Sequence, residues 1–195
     1  MLEVYYTSDK VEAGLDEVGR GCLAGPVVAA AVILPKNYSN DILNDSKQLT
    51  EKKRALVEKH ILEHAIAYQI KEVSHTKIDE INILNASFLA MHLAVDDLSV
   101  EPELLLVDGN RFTKYKEVDH ICVVKGDSKY MSIAAASVLA KNYRDRLMVD
   151  LGKEFPEYDW AKNVGYPTKK HREAIKEFGV TPHHRMSFRL LPKEE

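Results

Sequence analysis

The chain has 195 residues, 45% hydrophobic and 29% charged, with a net charge of −3. These are the proportions of an ordinary globular domain, large enough to bury a core without disulfides or a structural metal. Collagen-like, disordered and disulfide-rich classes are excluded. A membrane-spanning helix is excluded too, since the longest apolar run, residues 27–34, falls well short of the roughly 20 residues required.

In chain order, residues 10–18 are predicted as a strand, with Val11, Ala13 and Leu15 alternating with other residues. Gly19, Gly21, Gly25 and Pro26 break it, and residues 27–34 form a buried strand. About ten residues separate Asp16 from Pro26, too few for the crossover that parallel neighbours require, so the two strands are expected to pair antiparallel. After a loop over 35–45, Thr50 caps a predicted helix reaching Ala65, with Leu56, Ile61 and Leu62 facing inward. A third strand follows through Ile66, Tyr68 and Ile70, then a helix over 74–98 broken near Asn82 and Asn85. Leu104, Leu105, Leu106 and Val107 form a short, wholly apolar strand ending at Asp108-Gly109. Residues 120–124 are another strand, 128–152 a long alanine-rich helix, and Thr168 caps a last helix that Gly179 ends. Antiparallel strands first and strand–helix alternation later predict an α/β fold, a mixed sheet with helices on both faces.

The first fifteen residues carry Glu3, Asp9 and Glu12 and no apolar stretch, so no secretory signal is visible. Cys22 and Cys122 lack metal-type spacing and read as small buried hydrophobes in a reducing compartment. A soluble, cytoplasmic protein is expected, and a monomer, since nothing suggests a large exposed apolar interface. Between residues 162 and 189, seven Lys or Arg face two Glu, a local balance of +5 that leaves −8 for the remainder. Two readings stay open: a polyanion-binding segment beside an acidic site, or a solvated helix face with favourable pairs.

Asp16 and Glu17 end the first strand, and successive strand residues point to opposite faces. Both serve one site only if the chain begins to turn there; alone, the pair reads as a strand end with one carboxylate idle. Asp108 closes the most apolar short strand, where open α/β sheets place ligands. The competing reading is an Asp-Gly hairpin, but no well-matched alternating strand follows at once. Asp127, ahead of the long helix, reads in isolation as an N-cap. Four carboxylates gathered together would repel unless a cation neutralised them, and all-oxygen donors suit Mg²⁺ or Mn²⁺. Two such ions about 3.5–4 Å apart would activate a water and stabilise the leaving oxygen of a phosphodiester. His183 and His184, adjacent and so a poor chelating pair, read as surface or phosphate-contacting groups, and Ser46 as a loop or substrate contact. No Walker loop, HExxH, nucleophile elbow or paired CxxC occurs.

Nine segments carry a resemblance. They are Gly14-Leu15-Asp16-Glu17-Val18-Gly19-Arg20-Gly21, Gly25-Pro26-Val27, Asp45-Ser46-Lys47-Gln48-Leu49, Val107-Asp108-Gly109, Lys125-Gly126-Asp127, residues 133–141 (IAAASVLAK), Arg144-Asp145, Gly165-Tyr166-Pro167-Thr168 and Pro182-His183-His184-Arg185. In this order, over about nine-tenths of the chain, they resemble the bacterial ribonuclease HII family. Gln48, Pro167 and Met186 stand where that family commonly has lysine, glycine and arginine, which touches substrate affinity but not the acidic residues.

The resemblance implies a ribonuclease H-like fold: a five-stranded mixed sheet flanked by helices, with a helical C-terminal portion. A single catalytic domain over 1–195 is expected, with 153–195 as a basic substrate-binding extension. The implied activity is endonucleolytic hydrolysis of the RNA strand of RNA–DNA hybrids and incision 5′ to ribonucleotides embedded in duplex DNA, as in ribonucleotide excision repair, leaving 5′-phosphate and 3′-hydroxyl ends. By position, Asp16, Glu17, Asp108 and Asp127 match the four acidic residues that hold the divalent ions, two of Mg²⁺ or Mn²⁺. Gly19, Arg20 and Gly21 match the motif that senses the 2′-hydroxyl, for which glycines allow close backbone approach. Tyr166 matches the tyrosine that packs on the sugar at the DNA side of the junction. Lys47, Arg185 and the basic segment would hold phosphates. No membrane partner is implied, and residues 192–195 are too short to read as a replication-clamp tail. A signalling receiver module, the first alternative, requires regular parallel βα units, which the short 16–26 connection contradicts. A DNA-junction resolvase of the same fold, the second, would have no 2′-hydroxyl for Gly19-Arg20-Gly21 and Tyr166 to sense.

Overall fold

The computed structural model describes residues 2–43 and 49–192. Five strands form one sheet: β1 (Glu12–Val18), β2 (Val27–Ile33), β3 (Ala67–Val73), β4 (Leu104–Asp108) and β5 (Asp119–Val123), in the spatial order β3-β2-β1-β4-β5. β1 pairs antiparallel with β2 and β2 with β3, whereas β1–β4 and β4–β5 are parallel. The antiparallel pairing required by the short 16–26 connection is thus observed.

Helices α1 (Glu51–His64), α2 (His75–Asp96), α3 (Met131–Glu154), α4 (Trp160–Asn163) and α5 (Lys169–Phe178) complete the fold. β2 is buried along its whole length because both its faces are covered. Val27, Ala29, Ala31 and Ile33 belong to the core on the α2 side, and Val28, Ala30 and Val32 to the core on the α3 side. On the α3 side, contact is backbone-close at β1: a Cβ on Gly14 would fall inside the main chain of Ser132 and Ile133. The α3 stretch from Met131 to Ala140 is buried, its alanines letting the helix lie that near the sheet.

Local signals account for most helix ends. Thr50, Ser74 and Thr168 each accept an amide three residues on, capping α1, α2 and α5. α2 is interrupted as expected: Asn82 has φ 65° and its side chain accepts the Leu84 and Asn85 amides, restarting the helix. Two expectations are corrected. In α1 the inward residues are Val57 and Ile61, while Leu56 and Leu62 are exposed, because this helix leans on α3 along a narrow stripe. Asp127 does not cap the long helix; it sits in a separate 3-10 turn, Gly126–Ser128, and the α3 cap position is Tyr130. Cys22 is buried and Cys122 half-buried, both as free thiols. Among the described residues, no helix is long and apolar enough to cross a membrane.

Candidate active site

The parallel β1–β4 pairing sets Leu15 level with Val107. One step further along, Asp16 and Asp108 are therefore neighbours on the same face of adjacent strands, about 4.8 Å apart in backbone spacing. That face is the one α3 covers, since Gly14 meets Ser132 and Leu106 packs with Ile133. Asp16 is buried, and its Oδ1 accepts the Glu17 amide at 2.7 Å. Burial pushes the Asp16 carboxyl well above the usual carboxylate range, and the charges of Glu17 and Asp108 add to this, against a hydrogen bond from Ser137 on α3. Glu17 follows Asp16 at the end of β1, and its charge and those of Asp16 and Asp108 act on one another although the strand runs on to Val18. Burial raises its carboxyl as well, opposed by Arg20, whose Nη1 donates to Glu17 Oε1 at 2.9 Å. Asp108 Oδ1 accepts the Gly126 amide at 2.7 Å, which fastens the 126–128 turn, and the buried Asp127 in it, beside the end of β4.

Asp16, Glu17 and Asp108 are thus electrostatically coupled, with Asp127 on the turn next to them. Among the described residues, no three Asp, Glu, His or Cys side chains are already gathered at metal-holding distance. The donor set still fits a hard divalent ion. It is all carboxylate oxygen, and its buried members repel one another in a way that a cation would relieve.

The loop after β1 lies along the same edge of the sheet. Gly19 has φ +92°, a left-handed conformation that turns the chain away from β1, and a Cβ there would strike the Arg144 side chain. Arg144 is fully buried and serves three carbonyls: Nε donates to Pro26 O at 2.9 Å, Nη1 to Val164 O at 2.7 Å and Nη2 to Ala24 O at 3.0 Å. The Leu23 amide donates to Gly165 O at 2.7 Å, drawing the loop beside Tyr166. A Cβ on Gly21 would lie 4.0 Å from the Tyr166 ring, and Gly21, Arg20 and Tyr166 are all exposed. The expected 2′-hydroxyl sensor and sugar-packing tyrosine are therefore adjacent at the surface.

Two expectations for the C-terminal segment are corrected. Arg185 is not an exposed phosphate contact; it is fully buried, donating from Nε to Gly25 O at 2.9 Å and from Nη1 to Arg20 O at 3.0 Å. Burial lowers its guanidinium to about 10, so it stays cationic at neutral pH. His184 is not a surface group either: it is buried between Trp160, Tyr158 and His171. Lys162, Lys169, Lys170, Lys176 and Arg189 remain at the surface, Lys169 paired with Glu173 and Lys170 with Asp159. Lys47 and Ser46 lie outside the described residues. Arg144, Ser137 and His171 were not singled out from the sequence. Arg144 and Ser137 fall inside two of the resembling segments, Arg144-Asp145 and 133–141, but their partners, Pro26 and Asp16, lie far off in the chain, and nothing in the sequence marks His171.

A family profile described as ribonuclease HII matches residues 13–191. Ribonuclease HII of Bacteroides thetaiotaomicron is 63% identical over 191 residues, covering 98% of this chain and 96% of the relative. Among solved structures, ribonuclease H2 of Pyrococcus horikoshii aligns with a TM-score of 0.76 at 26% identity, over 92% of this chain and 94% of that one. Ribonuclease HII of Archaeoglobus fulgidus, solved in complex with PCNA, aligns with 0.75 at 25% identity, over 94% and 98%. The ribonuclease HIII called Bst-RNase HIII, solved with Mn²⁺, shares the fold with a TM-score of 0.68 at 20% identity, over 92% of this chain and 67% of that one.

Proposed function

Because the chain belongs to the ribonuclease HII family, and is thus a ribonuclease H enzyme, we propose that it hydrolyses the RNA strand of RNA–DNA hybrids and incises 5′ to ribonucleotides embedded in duplex DNA. The products carry a 5′-phosphate and a 3′-hydroxyl. The observation that carries this reading is the placement of the coupled Asp16 and Asp108 at the C-terminal ends of two adjacent parallel strands, next to a glycine loop whose Gly21 lies against Tyr166.

Asp16 and Asp108 form the core of the divalent-ion site, with Glu17 and Asp127 completing a two-ion set. Mg²⁺ or Mn²⁺ bound there supplies Lewis acidity, easing deprotonation of the attacking water and neutralising charge on the leaving oxygen. The protein's own groups do the rest. The Ser137 hydrogen bond and the Glu17 amide orient Asp16, and the Gly126 amide holds one oxygen of Asp108. Arg20 restrains Glu17 and exposes the loop backbone to the ribose, where only glycine permits close approach. Tyr166 offers a ring face to the sugar on the DNA side. Exposed lysines of the 153–195 extension meet the phosphate backbone and make binding salt-dependent. The enzyme acts in the cytoplasm as a monomer, and the reading requires no membrane or replication-clamp contact.

The test is a labelled DNA duplex containing one ribonucleotide, incubated with Mg²⁺ or with Mn²⁺, beside a chelator control, an all-DNA duplex and Asp16→Asn. Cation-dependent incision 5′ to the ribonucleotide, absent from all three controls, is expected. No cleavage by folded protein with either cation overturns the reading.

A further inference from the structure

A buried chain of hydrogen bonds runs beneath Tyr166, and its direction can be read from the donors. The Thr181 amide has only a proton to give, so His184 Nδ1, 2.9 Å away, accepts it. The proton of His184 therefore resides on Nε2, which lies 3.2 Å from His171 Nε2. That nitrogen also receives the Trp160 Nε1 proton at 3.0 Å and must be an acceptor. The remaining proton of His171 is on Nδ1, and it is donated to the Tyr166 carbonyl at 2.9 Å. Both imidazoles are thus neutral, single-tautomer and, by burial, disfavoured as cations.

The residue after His184 reaches the other half of the site. Arg185 holds the carbonyls of Arg20 and Gly25, its amide donates to Leu23 O at 2.8 Å, and the Gly25 amide donates to His183 O at 2.9 Å. One segment, 181–185, therefore grips the Gly19-Arg20-Gly21 loop with one arm and Tyr166 with the other. Neither His171 nor His184 reaches solvent, so neither touches substrate.

We propose that His171 and His184 are positioning residues for junction recognition: they hold Tyr166 at a fixed distance from the Gly19-Arg20-Gly21 loop, so that a ribose and the neighbouring deoxyribose are read together. The proposal rests on the assignment of Tyr166 as the contact for the DNA-side sugar. A uniform RNA–DNA hybrid has no such sugar in the cleaved strand. The network should therefore matter for the ratio of kcat/KM on a single-ribonucleotide duplex to that on a uniform hybrid.

The experiment measures this ratio for wild type, Tyr166→Ala, His171→Ala, His171→Asn and His171→Gln, with melting temperatures alongside. An asparagine amide can occupy the Nδ1 position and still donate to Tyr166 O, whereas a glutamine amide reaches the Nε2 position and leaves that carbonyl unserved. Expected is a fall of about 10-fold in the ratio for Tyr166→Ala, His171→Ala and His171→Gln, with His171→Asn within about 2-fold of wild type. If His171→Ala does not fold, the Asn–Gln pair carries the comparison. Equal ratios for Asn and Gln, or a wild-type ratio in His171→Gln, overturn the proposal while the Tyr166 assignment stands. A wild-type ratio in Tyr166→Ala removes that assignment, and the proposal with it.

Discussion

Asp16 is nearly inaccessible, accepts the amide of the next residue and lies beside Asp108, so its ionised form is solvated poorly and repelled twice. Its folded-state pKa lies above the unfolded value, which means that the native protein binds this proton more tightly than the unfolded chain does. The charged carboxylate therefore destabilises the fold at neutral pH, and the penalty disappears as pH falls through the raised pKa. Asn at position 16 keeps an acceptor for the Glu17 amide and removes the charge. In chelator, Asp16→Asn is expected to melt about 2–6 °C above wild type, while cleavage falls at least about 100-fold. Adding Mg²⁺ or Mn²⁺ should raise the wild-type melting temperature and leave the variant's unchanged. A variant that melts below wild type in chelator would show that Asp16 is not strained. The site acids were legible one by one, as strand ends and a helix approach. That the charges of Asp16, Glu17 and Asp108 act on one another was not, since strand alternation by itself sets Glu17 apart from Asp16.

At the scale of elements, the β1–α3 contact decides where Asp16 meets Ser137. Gly14→Ala would push a methyl into the Ser132–Ile133 backbone, which cannot yield as a side chain tip would. A loss of about 3 kcal/mol or more is expected in a urea titration, with residual activity lowered because Asp16 and α3 no longer keep register. Arg144→Lys is the matching test for the loop after β1. A lysine ammonium cannot span the carbonyls of Ala24, Pro26 and Val164 as the planar guanidinium does. The expected cost is about 2–4 kcal/mol, read from the denaturant midpoint, since buried carbonyls are left unserved. The antiparallel direction of β2 against β1 was legible because the ten-residue spacing between Asp16 and Pro26 leaves only a tight reversal, whereas the order of the remaining strands depends on pairings between distant segments. Capping residues located α1, α2 and α5 for an equally local reason. The inward face of α1 was misread at Leu56 and Leu62 because which apolar residues are covered depends on the partner helix, not on their own spacing. The burial of Arg185 and His184 escaped for the same reason: a charged or polar residue goes inside only when other groups satisfy it, and Arg20 and Gly25 for Arg185 and His171 for His184 lie on other segments.

For the molecule as a whole, the buried histidines predict an acid limit. Burial pushes His184 down to about 4, with His171, His183 and His75 as neighbouring bases that would repel its charge. Between pH 6.5 and 4 the unfolded chain binds more protons at this position than the native one, so stability falls as pH falls through that window. His184 alone accounts for roughly 3 kcal/mol at full protonation. Asp16 and Glu17, raised by burial, act in the opposite sense, so the measurement is a difference: His184→Gln should flatten the loss of stability between pH 6.5 and 4 relative to wild type. Parallel curves for the two proteins would remove His184 as the source. The grip of Arg185 on Arg20 has a temporal side as well, since it joins residues 165 positions apart. Translated at about 5–20 residues per second, the chain makes the Gly19-Arg20-Gly21 loop roughly 10–30 s before the residue that clamps it. Asp16, Glu17, Asp108 and Asp127 have all been synthesised before α3 is complete, whereas segment 181–185 comes later. On the ribosome, the Gly19-Arg20-Gly21 loop thus exists well before the segment that fixes it, and its final geometry is among the last features the growing chain acquires.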